Sequence, residues 1–179
     1  MQRTRLLLIT GLPGSGKTTL GRCLAQRYGV PLLSKDLIKE PLLDVLGCSG
    51  EAAHSRLLSN ASFAVLFAVT REILTANRDL VLEGNFRPGE HEGALAAISS
   101  LRLAQVLCRT EESIRLARLE MRNQEEARHA GHRDLDPTVL SQRSADAFLA
   151  LPGERFAFDA GETAITAQID AIDRWWQES

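Results

Sequence analysis

The sequence predicts an α/β fold with a parallel sheet covered on both faces. Short apolar runs bounded by turn signals recur along the chain, and helical stretches separate them. A glycine-rich turn joins the first apolar run to the first helix. Arg5–Thr10 (RLLLIT) is a continuous apolar run of strand length, the mark of a strand buried on both sides. From 17 to 28 the residues Leu20, Cys23, Leu24 and Tyr28 repeat at helical spacing, and Gly29 follows as a C-cap.

Val30–Ser34 reads as a second strand, followed by helices over about 36–46 and 52–76 with a turn at Asn77-Arg78-Asp79. Asp79–Glu83 (DLVLE) is a third strand, 90–100 a helix and Leu101–Cys108 a fourth strand. Thr110 is placed as the cap of a charged helix running to about Arg128. A loop at 129–134 precedes Asp136-Pro137, an N-cap and Pro pair opening a helix to about Leu151. Arg155–Phe158 is the fifth strand, and the last helix carries Ile165, Ile169, Ile172 and Trp176 as an apolar stripe.

The 179 residues are 44% hydrophobic and 25% charged, enough for a full core in one domain spanning 1–179. A net charge of −2, from 21 basic and 23 acidic residues, speaks against a globally basic nucleic-acid coat. Cys23, Cys48 and Cys108 are too scattered for a metal site or disulfide framework. Each has apolar neighbours, so buried free thiols and a cytoplasmic setting are expected. Leu6–Ile9 is too short for a secretory leader. Ala61–Val69 is about half the length of a membrane span, so it reads as part of a core helix. Only three of the 21 basic residues are lysines, and Lys17, Lys35 and Lys39 all fall early in the chain.

Gly11-Leu-Pro-Gly-Ser-Gly-Lys17-Thr18 matches GxxxxGK[ST] between a buried strand and a helix. Gly11, Gly14 and Gly16 let backbone N–H groups, including that of Ser15, turn inward as an anion nest. The N-terminus of the following helix, at Thr18 and Thr19, adds partial positive charge. Lys17 is placed on the β- and γ-phosphates of a nucleoside triphosphate, and Thr18 on Mg²⁺. ATP is expected over GTP because the chain has no NKxD-type guanine-reading motif.

In such sheets ligands sit at the carboxyl ends of the strands. The second strand ends at Ser34-Lys35-Asp36, and Lys39 shares an edge of the following helix with Asp36. Asp36 either takes the proton of an attacking hydroxyl with Lys39 holding substrate, or Asp36 or Ser34 caps the helix and Lys39 is solvated. The third strand closes on Glu83, placed in the metal shell or on substrate, with Asn85 and Arg87 in the turn that follows. Arg115, Arg118 and Arg122 form a stripe on the charged helix. One or two of them are expected at the γ-phosphate and the rest in surface ion pairs. Arg128, His129, His132 and Arg133 suit a lid, without enough ligands for zinc.

GLPGSGKTT, SKDLIK, VLEGNF and the Arg118-x-x-x-Arg122 helix leading into RHAGHRD together resemble the small P-loop kinases. That group includes the 5′-hydroxyl polynucleotide kinase domain, chloramphenicol phosphotransferase, gluconate kinase and the zeta toxins. The resemblance implies a P-loop NTPase three-layer sandwich, with a five-stranded parallel sheet in the order 2-3-1-4-5 and a helical lid over about 115–136. It implies Asp36 as base toward the acceptor, Lys39 as its neighbouring cation and Arg118 or Arg122 as lid arginine. It also places FAFDAGET beside adenine. Glu83 stands where many relatives have Asp, and Lys39 where polynucleotide kinases have Arg. The expected activity is ATP- and Mg²⁺-dependent phosphoryl transfer to a small-molecule hydroxyl acceptor, with Lys35 and Lys39 facing that acceptor. A polynucleotide 5′-end is the runner-up acceptor, and a nucleotide-dependent switch or ATPase with a protein partner is the competing class. No membrane partner is expected, and the oligomeric state stays open.

Overall fold

The computed structural model describes residues 4–47, 52–96, 101–124, 147–160 and 165–178. The elements run β1 (Thr4–Gly11), α1 (Lys17–Tyr28), β2 (Leu32–Ser34), α2 (Lys35–Leu46), α3 (Ala52–Thr75) and β3 (Leu80–Glu83). They continue with α4 (Glu92–Ala96), β4 (Leu101–Arg109), α5 (Glu112–Gln124), β5 (Glu154–Asp159) and α6 (Ile165–Gln177). Every strand pairing is parallel, and the order is β2-β3-β1-β4-β5 as expected.

The two-residue period of β1 divides its side chains between two cores. Leu7 and Ile9 join Leu20, Leu24, Val106, Ile172, Trp175 and Trp176 on the face covered by α1 and α6. Leu6 and Leu8 join Phe63, Leu66, Leu80, Leu82 and Leu149 on the face covered by α3. Each fully buried Leu is worth about 1.5–3 kcal/mol relative to exposure, so β1 anchors both layers. Polar ties fix the helices that bear on it. Asp173 of α6 accepts hydrogen bonds from Arg27 Nε (2.9 Å) and Tyr28 Oη (2.8 Å), while the Tyr28 ring stacks on Trp176 with centroids 4.2 Å apart. At the same end of β1, Asp79 accepts from the backbone N–H of Arg5 (2.7 Å) and its Nε (2.9 Å).

Several expectations are corrected. Cys23 is exposed, because the helical stripe turns Leu20 and Leu24 inward and leaves position 23 on the outer face, whereas Cys108 is buried. Cys48 lies outside the described residues. The helix predicted over 90–100 begins at Glu92, since Glu90 and His91 complete a turn, and is helical through Ala96, with 97–100 outside the described residues. Residues 147–151 are extended or bent where a helix was expected, and the rest of that helix lies outside the described residues. Segment 147–151 is instead held on β4 by the buried Gln105. Its Oε1 accepts from Leu149 N (2.9 Å), and its Nε2 donates to the carbonyls of Leu149 (3.2 Å) and Leu151 (3.4 Å).

Residues Ala53–Thr75 of α3 are long and apolar enough to cross a membrane by length and composition. Here Leu58, Phe63, Leu66 and Leu74 face the core, and Ser62 Oγ donates back to Leu58 O (2.6 Å).

Gln105→Leu keeps the volume but leaves the buried Leu149 N–H without its acceptor. It is expected to cost about 1–3 kcal/mol in a denaturant titration. Unchanged stability would remove Gln105 as the clamp on that segment.

Candidate active site

The phosphate loop connects the end of β1 to α1, and backbone geometry makes its glycines obligatory. Gly11, Gly14 and Gly16 all have positive φ (143°, 85° and 92°). A Cβ on Gly11 would stand 2.3 Å from the Cys108 carbonyl oxygen, and one on Gly14 would meet Arg115 O at 2.9 Å. Lys17 is 8% exposed and its Nζ donates to Leu12 O across the loop at 2.8 Å. Ser15 Oγ is buried without a hydrogen-bond partner, so the loop's concave side holds a polar atom that an anion's oxygens would satisfy. Thr19 points outward and is exposed, which leaves only its backbone to serve a ligand.

Two neighbours brace the loop from outside. Thr110 Oγ1 has Ser15 O (3.2 Å) and Arg109 O (2.6 Å) as acceptors in reach, and because α5 begins at Glu112 the cap position falls on Glu111 and not on Thr110 as expected. Arg115 is 2% exposed. Its Nη1 lies 3.4 Å from Pro13 O and its Nη2 3.6 Å from Glu112 Oε1, which makes it a buried strut and not a surface ion pair. The i, i+3, i+7 spacing marked this stripe, but sequence could not separate the member that turns inward. Arg118, one turn on, stands over the loop: a Cβ on Gly16 would be 3.9 Å from its Nη1 and 3.5 Å from Ala160 Cβ. The residue after β5 therefore flanks the loop too. A cavity of about 240 Å³ beside it is lined by Leu12, Ser15, Thr110, Arg115 and Asp159. The side chain of Arg122, the loop residues Arg128, His129, His132 and Arg133, and residues 161–164 lie outside the described residues.

The ends of β2 and β3 bring the remaining predicted residues to the same end of the sheet. Glu83 is 2% exposed, and its Oε2 accepts from Ser34 Oγ (2.6 Å) and Thr18 Oγ1 (3.3 Å). Ser34 thus orients Glu83 and makes no side-chain cap to α2, a role the sequence reading missed. Its signal is the parallel register that puts Ser34 directly opposite Glu83. The Thr18 hydroxyl and Glu83 carboxylate are two hard oxygen donors held together beside the phosphate loop. Such a pair fits Mg²⁺, which keeps most of its shell as water and phosphate oxygen. Among the described residues there is no group of three or more His, Cys, Asp or Glu able to hold a metal on its own.

Lys35 and Lys39 are each 6% exposed, so neither is solvated surface, while Asp36 beside them is half-exposed. Lys35 Nζ lies 3.5 Å from Asp36 Oδ1 and 5.8 Å from the Phe63 ring centroid. Burial pushes the Lys35 ammonium down to about 8; Asp36 opposes that shift, and Lys39 and then Arg87 add to it. Asn85 is half-buried in the turn after β3. Arg87 pairs with Glu90 (2.9 Å), and its backbone N–H donates to His91 Nδ1 (2.8 Å). His91, not singled out from sequence, is buried against Phe63 at 4.1 Å between centroids. Burial lowers its pKa and favours the neutral ring. Cys108 lies under the loop with its thiol pushed up to about 12 by burial, which makes it inert at neutral pH.

A phosphate loop closing the central strand of a β2-β3-β1-β4-β5 parallel sheet defines the P-loop NTPase kinase class. The chain belongs to the AAA domain family AAA_33, whose model matches residues 6–146. It is similar to the shikimate kinase of Salinispora tropica, at 38% identity over 80 residues that make 42% of this chain and 47% of that enzyme. The shikimate kinase of Mycobacterium avium is 27% identical over 157 residues, 83% of this chain and 74% of that enzyme. Matches to the first two curated relatives, from Salinispora tropica and Thermobifida fusca, span 47% and 62% of those enzymes' lengths. Among solved structures, a presumed kinase from Chloroflexus aurantiacus superposes with a TM-score of 0.85 at 29% identity, covering 98% of this chain and 100% of that one. A sugar kinase from Janibacter sp. shares the fold at a TM-score of 0.67 and 14% identity, covering 97% of this chain and 94% of that one.

Gly11→Ala should lower nucleotide affinity by about tenfold or more, because the loop must move off Cys108 O and lose amide contacts worth roughly 1.5–3 kcal/mol each to a charged ligand. Isothermal titration would show it, and wild-type affinity would refute the close-approach argument. Lys35 makes a second prediction. With its folded pKa near 8 and an ordinary unfolded value of 10.5, the unfolded chain binds more protons between those pH values. Stability of the wild type relative to Lys35→Met should therefore rise from pH 8 to 10.5. A pH-independent difference in unfolding free energy would contradict the burial of that charge.

Proposed function

We propose that this chain is an ATP- and Mg²⁺-dependent phosphotransferase that moves the γ-phosphoryl group to a hydroxyl of a small molecule. One observation carries the reading. The phosphate loop, the Glu83–Thr18 pair and Asp36 with its two buried lysines stand on adjacent strand ends of a single sheet. The family and the kinase neighbours support it.

Loop amides and Lys17 hold the β- and γ-phosphates, and the Lys17–Leu12 contact is exchanged for phosphate oxygen. Thr18 and Glu83, the latter oriented by Ser34, would hold Mg²⁺, which when bound neutralises phosphate charge. Arg118, over Gly16, meets the charge that develops on the transferring group, and Arg122 follows one turn later on α5. Asp36 is half-exposed where an acceptor enters, and it takes the hydroxyl proton as the acceptor oxygen bonds to the γ-phosphorus. The bond from the γ-phosphorus to the β,γ-bridging oxygen breaks, and ADP leaves. Lys35, Lys39, Asn85 and Arg87 line the acceptor side.

Asp36→Asn should reduce transfer by about 10²–10⁴-fold, the usual worth of a positioned base, and leave ATP affinity within about twofold. A γ-³²P transfer assay over antibiotics, sugars, nucleosides and 5′-hydroxyl oligonucleotides identifies the acceptor. Undiminished turnover in the variant would remove Asp36 from the mechanism.

A further inference from the structure

We propose that Arg115 is a positioning residue of the phosphate site. Its buried guanidinium holds the Pro13 carbonyl outward, so that the N–H of the same peptide, on Gly14, faces the bound phosphate. This rests on the reading that the loop receives the phosphates of a nucleotide. Arg115 itself touches no phosphate and acts through the backbone.

The orientation follows from peptide geometry. In a planar trans peptide the C=O and N–H point in opposite directions, and no cis bond occurs among the described residues. Arg115 Nη1 donates to Pro13 O at 3.4 Å from the α5 side of the loop. The Gly14 N–H therefore points to the other side, the concave one. Gly14 is buried, yet among the described residues nothing accepts from its N–H. An orphaned N–H on a buried residue is rare in a folded chain and calls for a partner. Ser15, next along, differs, because its N–H is already spent on Leu12 O at 3.2 Å. The peptide that Arg115 holds is thus the one whose donor stands ready for an anion.

The body of α5 keeps that peptide in place. A Cβ on Gly14 would stand 2.9 Å from Arg115 O, 3.0 Å from Arg115 Cγ and 3.1 Å from Leu119 Cγ, so the helix is seated on the bare Cα of residue 14. The ion pair of Arg115 does not account for its burial. Glu112 lies 3.6 Å away with 67% of its side chain exposed, a pairing that needs no buried partner. Burying a guanidinium costs free energy unless its donors are used, and the use on offer is the loop carbonyl. A charged donor on Pro13 O also polarises the peptide and makes the Gly14 N–H a stronger donor. Arg118 lies on the same helix, its Nη1 3.9 Å from the place of a Cβ on Gly16. One helix thus sets both a loop amide and the arginine above the loop.

The test is ¹⁵N–¹H NMR of the full chain with pyrophosphate, ADP and adenosine as probes, none of which needs a phosphoryl acceptor. Pyrophosphate and ADP should move the Gly14 amide downfield, and adenosine should not. Arg115→Met keeps the stem against Gly14 and removes the donor. It should abolish that shift and weaken ADP and pyrophosphate by about tenfold or more in isothermal titration. Arg115→Lys, which returns a charged donor, should recover part of both, and Glu112→Gln should leave both within about twofold of wild type. Should Arg115→Met not fold, Arg115→Gln, too short to reach Pro13 O, is read in its place. A Gly14 amide that stays still while those of Gly16 and Lys17 move overturns the proposal and leaves the nucleotide reading intact. So does an Arg115→Met chain that loses stability alone, with the Gly14 shift and ADP affinity unchanged, or a Glu112→Gln chain as impaired as Arg115→Met. Loop amides that all stay still with ADP remove the nucleotide reading together with the proposal.

Discussion

The close passage of β1 and β4 where the phosphate loop begins constrains everything at the carboxyl end of the sheet. Gly11 is paired with Cys108 in register, and the Cys108 carbonyl oxygen occupies the place where any side chain on Gly11 would go. That approach lets the chain leave β1 and wrap at once into the loop, with Gly14 against Arg115 and Gly16 open toward Arg118. The same passage places α1 so that Thr18 meets Glu83, two residues brought together from 65 positions apart. The geometry of the candidate site is thus set by backbone packing of the central strands, between the two cores.

Charge is the second organising feature. In a chain whose basic residues are overwhelmingly arginine, the three lysines are all buried at one end of the sheet. A lysine ammonium is compact, flexible and able to shift its pKa, whereas a guanidinium is broad and planar. Lys17 uses that compactness inside the loop, and Lys35 and Lys39 are buried at the end of β2, Lys35 against the Phe63 ring and Asp36. Arginine appears where a rigid strut or a longer reach is needed, as at Arg115 and Arg118.

The fold was legible in the sequence wherever a local signal repeats. The apolar runs at 5–10 and 79–83 are strands within a residue of their expected limits, and Gly29 caps α1 with positive φ. The alternation of elements led to the parallel sheet, and the strand order came with the family resemblance. Less legible was what depends on tertiary partners. Cys23 has apolar neighbours in sequence but sits on the outer side of α1. Residues 147–151 carry an apolar pattern that a helix or an extended segment satisfies equally, and Gln105 on β4 settles it. At the site, motif spacing marked Lys17, Thr18, Asp36 and Glu83. The supporting contacts of Ser34, Thr110 and His91 depend on strand register and loop docking, which no linear spacing encodes.

The proposed transfer rests on Asp36 and two buried lysines standing on the strand ends beside the loop, an arrangement that water as acceptor would not require. The most direct measurement follows the γ-phosphorus of ATP by ³¹P NMR in ¹⁸O-enriched water with the acceptor present. Transfer to the acceptor hydroxyl predicts a phosphate ester free of ¹⁸O, formed in step with ADP. If ADP forms and the γ-phosphorus appears only as inorganic phosphate carrying ¹⁸O from the solvent, the protein is a hydrolase and the account is wrong.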